Sequence, residues 1–146
     1  MKISTKARYG MKAVVELALH YGEGPISLKD IATKYDMSFS YLEQLIAILK
    51  KAGYVKSIRG KMGGYELVTS PDKIMVGDVL RALEKDLSIT DCGSSLLDNS
   101  LTCDHENICV TKMVWFKLQK AIDETLDGLS ISDLLEIDLE KGNINV

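Results

Sequence analysis

The stretch that decides the fold covers residues 27–67 and reads SLKDIATKYDMSFSYLEQLIAILKKAGYVKSIRGKMGGYEL. It contains two apolar stripes at helical spacing, separated by a short polar turn. Ser27 with Asp30, and Ser40 with Glu43, have the Ser-x-x-acid spacing of a helix-capping box. The pattern predicts a helix-turn-helix pair, whose second helix commonly enters the major groove when such a pair binds DNA. The two stripes are Leu28, Ile31, Ala32 and Tyr35, and then Leu42, Leu45, Ile46 and Leu49.

A basic β-hairpin is predicted directly after this pair. Tyr54–Ile58 and Tyr65–Thr69 are short β-prone runs, and the residues between them are rich in glycine, which suits a hairpin tip. Arg59 and Lys61 place two cations at the tip, where they can reach phosphates or a narrow minor groove. Such a hairpin is typical of a winged helix and favours DNA binding, with a solvated basic turn as the alternative.

Four further helices are predicted outside this stretch. Amphipathic patterns cover Thr5–Tyr21, Val76–Leu83 and Val110–Leu126, and a short acidic helix is expected over Ser130–Glu136. The third of these has more apolar surface than one exposed helix should carry, so it predicts either a dimerisation helix or packing on its own domain. Its apolar face comprises Val114, Leu118, Ala121, Ile122, Thr125 and Leu129, with Trp115 and Phe116 beside it.

The predicted fold class is therefore mostly α with a small β wing. A winged helix-turn-helix DNA-binding domain is expected over residues 1–83 and a cysteine-bearing sensor loop over residues 84–109. A dimerisation helix and a C-terminal tail are expected over residues 110–146. A homodimer with two-fold symmetry would present two recognition helices to two DNA half-sites.

Charge is distributed unevenly along the 146 residues. The net charge of −3 by itself argues against a nucleic-acid binder, because phosphate contacts come from an excess of Lys and Arg. Residues 1–69, however, carry eleven basic and six acidic side chains, a net charge of +5, whereas residues 70–146 carry seven and fifteen, a net charge of −8. An anionic partner is therefore expected on the N-terminal half.

Three cysteines, Cys92, Cys103 and Cys109, fall in a stretch without helical or strand periodicity. No run of about 18 apolar residues is present and the start lacks the apolar middle of a secretory signal, so we expect a cytoplasmic protein that does not bind membranes. In a reducing cytosol these thiols favour fillers, metal ligands or redox groups over disulfides. No catalytic constellation accompanies them, so an enzyme is not expected.

Five motifs along the chain resemble the iron–sulfur cluster regulator IscR and its relatives. The most specific is the Ser-Tyr-Leu-Glu-Gln-Leu run followed by the Arg-Gly and Gly-Gly-Tyr wing. The resemblance covers nearly the whole chain and implies a bacterial winged-helix transcription factor that dimerises through a long helix. It also implies a sensor of iron–sulfur status, nitric oxide, iron or redox state. The motifs are Thr5–Tyr9, Ser38–Leu45, Val55–Gly60, Gly63–Tyr65 and Val76–Val79.

The resemblance assigns DNA contacts to the recognition helix and the wing. Ser38, Ser40, Tyr41 and Gln44 match the part of the helix that meets the major groove, and Arg59 matches the residue that enters the minor groove. These side chains have suitable chemistry, because glutamine can pair with an adenine edge and hydroxyls can bond phosphates or bases.

Glu43 matches a family glutamate that disfavours some DNA sites, as expected of a carboxylate facing base acceptors or phosphates. Its alternative role is to cap its own helix from the third position.

The resemblance also implies that Cys92, Cys103 and Cys109 hold an iron–sulfur cluster of the [2Fe-2S] type. Their spacing is Cys-x10-Cys-x5-Cys, which fits neither a paired zinc pattern nor a ferredoxin run, and the first gap is longer than in the best-known members.

The fourth cluster ligand stays open at this stage. Lys112 stands where one branch of the family offers a histidine, and Arg8 stands where another offers an aspartate from the partner subunit. His105 is a nearby candidate, while Asp91, Asp104 or a small exogenous ligand would also serve.

These observations predict a regulator that binds double-stranded operator DNA as a homodimer, with DNA binding modulated by the cluster. One alternative is a thiol-redox or zinc-responsive regulator of the same fold without a cluster. The other is a protein-interaction module built from the helix pair and the acidic arm.

Overall fold

The helices and strands follow the predicted order. The computed structural model describes residues 3–90 and 109–140, with the backbone alone given for residues 138–140. Within these ranges the chain forms six α-helices, a 3₁₀ turn at Pro71–Lys73 and one antiparallel two-stranded sheet. None of the described helices is long and apolar enough to cross a membrane. The elements are α1 (Thr5–Leu19), α2 (Leu28–Lys34), α3 (Phe39–Lys51), β1 (Val55–Ile58), β2 (Gly64–Leu67), α4 (Val76–Leu83), α5 (Lys112–Asp127) and α6 (Ile131–Glu140).

The core forms where the apolar stripes of α1, α3 and α4 meet. Leu42 and Leu49 of α3 are completely buried, together with Val14 of α1 and Val79 of α4. Burial of an aliphatic side chain contributes about 1.5–3 kcal/mol. The inner face of α3 is therefore committed to stability, and only its outer face is available for binding.

The N-terminal caps of the helix pair match the sequence at one helix and differ at the other. Ser27 caps α2 as predicted, because its hydroxyl accepts from the Lys29 amide at 3.1 Å. The predicted cap of the next helix, Ser40 with Glu43, is wrong. Ser38 has the extended backbone of a cap, and its hydroxyl accepts from the Tyr41 amide at 3.4 Å.

This correction also settles the alternative role of Glu43. Because α3 begins at Phe39, Glu43 is its fifth residue and not its third. A side chain there is two residues too far along the helix to close a capping box. The capping role of Glu43 is therefore wrong, and its exposed carboxylate is left for other contacts.

Helix α5 packs on α4 through an ion pair. The Arg81 guanidinium donates to both carboxylate oxygens of Asp127, at 2.6 and 3.0 Å, and lies 3.7 Å from an oxygen of Asp123. Gly77 leaves room for this pair, since a Cβ there would collide with the Asp127 carboxylate. The acidic side chains of α5 are thus partly neutralised by α4.

A buried glutamine connects α5 to the segment before the cysteine-bearing residues. Gln119 accepts a hydrogen bond from the Ile89 amide at 3.0 Å and donates to Asp123 at 3.2 Å. It is the buried residue of α5, whereas Trp115, Ile122 and Leu126 on the same side are half-buried. This side of α5 faces its own domain.

Most of the apolar face predicted for α5 lies next to the side that packs on its own domain, and not on that side. Val114 and Leu118 are 50% and 47% exposed, and Ala121 and Thr125 are exposed as well. Ile122 is half-buried, so it borders both faces. Leu129, the last residue of the predicted face, packs against the core. Within the described part of the chain, the face centred on Leu118 is left uncovered.

The C-terminal helix returns to the winged domain. Its first residue, Ile131, is completely buried, and α6 packs against α1. The backbone before it pairs with the segment before α4, where the Ile131 amide donates to Ile74 and the Val76 amide donates to Leu129, both at 2.8 Å. The helix runs to Glu140, beyond the predicted end at Glu136.

Candidate nucleic-acid interface

The outer face of α3 is polar and exposed over its first two turns. The residues predicted to read DNA, Ser38, Ser40, Glu43 and Gln44, are all exposed. Helical spacing puts Ser40, Glu43 and Gln44 on one face, and the hydroxyls of Ser38 and Ser40 lie 3.1 Å apart. The structure therefore brings these four predicted residues together.

Tyr41 differs from these residues because it is half-buried. Its ring packs edge-on against Tyr9 of α1, with 6.2 Å between ring centroids and 73° between planes. The ammonium of Lys12 lies 5.7 Å from the Tyr9 ring centroid. The contact between α1 and α3 thus fixes the Tyr41 ring.

The predicted wing is present as a hairpin. Strands β1 and β2 pair antiparallel from Val55 with Leu67 to Ile58 with Gly64, and a cross-strand salt bridge joins Lys56 to Glu66 at 3.0 Å. The tip between the strands exposes Arg59 and Lys61. The amide of Gly63 closes the tip by donating to the Gly60 carbonyl at 3.0 Å.

The wing is also attached to the loop before α2, which sequence reasoning missed. Ile26 and Tyr65 exchange two backbone hydrogen bonds, at 2.9 and 2.8 Å. A Cβ at Gly64 would collide with the Ile26 backbone, so the close approach requires glycine at that position. The apolar Ile26 between Pro25 and the Ser27 cap was the only signal, and it was too short to identify a strand.

Lys50, near the end of α3, makes a second attachment by donating to the Ser57 hydroxyl of β1 at 2.9 Å. The wing is therefore attached to α3 and to the loop that leads into α2.

Behind this surface, a buried carboxylate ties α2 to α1. Glu16 accepts hydrogen bonds from Lys34 at 2.7 Å and from the Tyr35 hydroxyl at 2.9 Å, and His20 lies 3.6 Å away. Burial would raise the pKa of Glu16, but the hydrogen bonds from Lys34 and Tyr35 outweigh it and hold the pKa below its usual range. The ionised carboxylate is thus part of the support for the helix pair.

A shallow groove separates the start of α3 from the wing, and one apolar side chain stands exposed in it. Phe39 was not singled out from the sequence, although an aromatic residue one position before a polar recognition face was a usable signal. The groove is lined by Ser27, Leu28, Lys29, Phe39, Glu43, Gly63, Gly64 and Tyr65.

Only one of the predicted cluster ligands lies in the described part of the chain. Cys92, Cys103 and His105 fall outside it. Cys109 precedes α5, with its sulfur 3.2 Å from the Thr111 hydroxyl. This hydrogen bond, followed by the backbone amide of Lys112, lowers the pKa of the Cys109 thiol and favours the thiolate that binds metals.

The chain matches a family model over residues 3–137, that of Rrf2, described as an iron-dependent transcriptional regulator. It is 43% identical to the HTH-type transcriptional regulator CymR of Bacillus subtilis over 134 residues, which cover 92% of this chain and 89% of the relative. It is 40% identical to the HTH-type transcriptional regulator IscR of Aliivibrio salmonicida over 135 residues, which cover 92% of this chain and 77% of the relative.

Solved structures show the same likeness. The T. potens IscR structure has a TM-score of 0.79 at 45% identity and covers 98% of this chain, which spans 92% of it. The structure of B. subtilis CymR, described as the global cysteine regulator, has a TM-score of 0.80 at 40% identity, with coverage of 94% and 98%.

These similarities confirm the resemblance drawn from the motifs and the predicted fold class. They also confirm that the chain is not an enzyme, since its relatives are transcriptional regulators. Three findings agree: the helix pair has an exposed polar face, the wing is basic, and the family model matches. The chain therefore belongs to the Rrf2 family of winged-helix, DNA-binding transcriptional regulators.

Proposed function

We propose that this chain regulates transcription in the cytoplasm as a homodimer that binds operator DNA in a manner set by an iron–sulfur cluster. The observation that carries the DNA-binding part is the exposed polar start of α3 next to a basic wing, which is attached to α3 and to the loop before α2. In this proposal residues 1–83 bind DNA, residues 84–109 hold the sensor and residues 110–146 carry the dimer helix and tail.

Each DNA contact follows from the chemistry of the side chain. Gln44 pairs with an adenine edge in the major groove, while the hydroxyls of Ser38 and Ser40 bond to bases or phosphates. Arg59 enters the minor groove where it is narrow and its negative potential is strongest. Lys61 adds a phosphate contact at the wing tip.

Two further residues of α3 act more indirectly. Tyr41 offers its hydroxyl from a ring held by Tyr9. The exposed carboxylate of Glu43 penalises DNA sites that would place acceptors opposite it.

The homodimer is supported by the face of α5 that the described residues leave uncovered. Val114 and Leu118 expose about half of their surface next to exposed Ala121, a combination that a second copy of the same helix would bury. An isologous contact through this face would relate two recognition helices by a two-fold axis.

The cluster is supported by the chemistry of its donor set. Three thiolates from Cys92, Cys103 and Cys109 suit a soft iron–sulfur centre, and the lowered pKa of Cys109 favours its thiolate form. His105 is our candidate for the fourth ligand. A bound [2Fe-2S] cluster would supply a redox-sensitive and labile centre, and Cys109 would connect it directly to the start of α5.

A cluster-free thiol sensor is the second candidate. CymR relatives are as similar to this chain as IscR relatives, and Staphylococcus aureus CymR has been solved in an oxidised form. In that case the same three thiols would respond to oxidants or zinc without inorganic sulfide.

DNA binding is tested by selecting operator fragments from random DNA with the purified dimer. We expect one enriched sequence, with affinity that falls steeply as salt is raised. Gln44→Ala should then relax the preference at a single base position by about 1–3 kcal/mol. If no sequence is preferred over bulk DNA at moderate salt, the chain is a protein-interaction module instead.

The cluster is tested on protein purified without oxygen, by its visible absorption spectrum and by counts of iron and sulfide. We expect coloured protein, bleached by Cys92→Ala, Cys103→Ala or Cys109→Ala. His105→Ala should alter the spectrum. Colourless protein that resists reconstitution, and that retains zinc or no metal, would replace the cluster with the thiol or zinc sensor.

A further inference from the structure

Phe39 is the first residue of α3, and it is exposed to water. Of its surface, 48% is accessible, whereas Leu42, Leu45 and Leu49 of the same helix are at most 1% exposed. Phe39 also lies outside the cluster of residues that forms the core. About half of the ring is therefore free to contact a binding partner.

The ring is located on the side of the molecule that is proposed to meet DNA. It lies between Ser38 and Ser40 in sequence, one helical turn before Glu43, and it lines the groove between α3 and the wing. Across that groove stand Gly63 and Gly64, next to the basic tip. A duplex that touches both the start of α3 and the wing tip would span the groove that Phe39 lines.

The chemistry of the major groove offers this ring one prominent apolar partner. Base edges there present hydrogen-bond donors and acceptors, and beside the small C5–H of cytosine the C5 methyl group of thymine is the apolar group that projects from them. A polar edge against the ring would lose its hydrogen bonds with water without compensation, whereas the methyl group would be buried favourably.

We propose that Phe39 is a specificity-determining residue that reads the C5 methyl group of a thymine in the operator. This inference rests on the operator binding proposed above, and it adds an apolar contact to the polar contacts of Ser40 and Gln44. Docking of a protein partner on the same ring is the competing use of this surface, and it predicts no dependence on a thymine methyl group.

The test replaces each thymine of the selected operator, one at a time, with deoxyuridine, which lacks only the methyl group. With the unmodified protein we expect one replacement per half-site to weaken binding about fourfold, the value of one buried carbon. Phe39→Ala should bind thymine DNA more weakly and should bind the two DNAs with equal affinity. The comparison forms a double-mutant cycle between a side chain and one methyl group.

Val68→Ala provides the matched control. Val68 is 49% exposed, and it lies at the base of the hairpin, where its amide donates to Tyr54. Val68→Ala should lose as much affinity as the unmodified protein when deoxyuridine replaces thymine. Phe39→Leu, which keeps an apolar side chain, should lose part of that affinity. Circular dichroism shows whether each variant is folded, and Phe39→Gln replaces Phe39→Ala in the cycle if the latter is unfolded.

Two results would overturn the inference while leaving operator binding intact. One is specific binding by the unmodified protein with no position sensitive to deoxyuridine. The other is a deoxyuridine penalty that persists unchanged in Phe39→Ala. Absence of any sequence preference in the unmodified protein is a different outcome, because it removes the proposed function together with this inference.

Discussion

At the scale of single residues, Glu16 shows how a charge in the domain interior supports the binding surface. Its carboxylate joins α1 to α2 through Lys34 and Tyr35, and those hydrogen bonds hold its pKa below the usual range despite burial. A carboxylate with a lowered pKa stabilises the fold when it is ionised. That stabilisation is complete above pH 4.5, the ordinary pKa of a glutamate, and is lost as pH falls through the lower pKa of the folded state.

Glu16→Gln should therefore reduce the free energy of unfolding at pH 7 by about 2 kcal/mol, because hydrogen bonds to an ionised group are lost. The difference from the unmodified protein should shrink at acid pH, where Glu16 is protonated in both states. Denaturant unfolding at several pH values measures this. Glu23→Gln is the control, since Glu23 contacts His20 in an exposed pair. If the difference in free energy of unfolding between Glu16→Gln and the unmodified protein does not depend on pH, the loss of stability comes from the changed shape of the side chain and not from its charge.

The cap of α3 gives a second prediction for single residues. Ser38→Ala should lower the free energy of unfolding by about 1 kcal/mol, because the Tyr41 amide loses its side-chain acceptor. Ser40→Ala should leave it unchanged within about 0.5 kcal/mol, as expected of an exposed residue without a capping role. If thermal or denaturant unfolding shows a larger loss of stability for Ser40→Ala than for Ser38→Ala, the cap is Ser40 as first predicted.

The sequence favoured the wrong serine as this cap for a physical reason. Ser38 and Ser40 are both serines, and only Ser40 is followed three residues later by a glutamate. The cap is decided by which residue keeps an extended backbone, and Ser38 does so with φ −59° and ψ 128°. Residue spacing indicates which side chains could form a capping pair. The conformation of the turn after α2 determines which residue is the first with helical dihedral angles.

At the scale of elements, the wing has a glycine-rich sequence that favours flexibility, yet its position in the domain is held by hydrogen bonds. Its glycine-rich tip would be free in an isolated hairpin, yet its strands are held by Ile26 on one side and by Lys50 on the other. The wing therefore presents Arg59 at a defined place relative to α3. A preset position reduces the entropy lost when the side chain enters a groove.

Arg59→Ala should weaken binding to an operator with A/T-rich flanks by about 1–2 kcal/mol, since a charged contact in a narrow minor groove is lost. The loss should be smaller when the flanks are G/C-rich. Titrations of both DNAs by fluorescence anisotropy measure the two values. Lys61→Ala serves as the comparison, because a phosphate contact should be lost equally on both DNAs and reduce the salt dependence by about one ion. Equal losses for Arg59→Ala would make it a phosphate contact too.

The hairpin and its charges were predictable from sequence, but its attachment was not. Alternating β-prone residues and glycines are local signals, so β1, β2 and the exposed Arg59 all followed from them. The bridge between Ile26 and Tyr65 joins residues far apart in the chain, and neither end has a pattern that specifies the other. The buried Gln119 is similar, because an amide on a helix suggests a solvent-facing position until its partner Ile89 is known.

At the scale of the whole molecule, α5 has two neighbouring faces with different neighbours. Gln119 and Leu126 face the protein's own domain, and Arg81 of α4 secures that contact. The face centred on Leu118 has no cover in the described part of the chain. The proposed homodimer assigns that face to the second copy.

Leu118→Asp should therefore give monomers in sedimentation or light-scattering measurements and should lose tight operator binding at the same time. A carboxylate in an apolar contact between copies would be buried without a partner. The protomer itself should stay folded, since Leu118 is 47% exposed in it.

Lys120→Asp is the matched control for Leu118→Asp, because Lys120 is exposed on the opposite side of α5 and pairs with Glu124. It should remain dimeric. If Leu118→Asp unfolds the chain, or stays dimeric and binds DNA normally, the dimer contact lies elsewhere.

The attachment of the wing has a consequence for the length of the operator as well as for its sequence. One additional base pair between the bases under α3 and the minor groove under the wing tip moves that groove about 3.4 Å along the DNA axis and about 35° around it. The hydrogen bonds to Ile26 and Lys50 oppose the rotation that the hairpin would need to follow it. If α3 and the wing bind DNA as proposed, we expect the operator to tolerate varied bases within this interval but only one interval length.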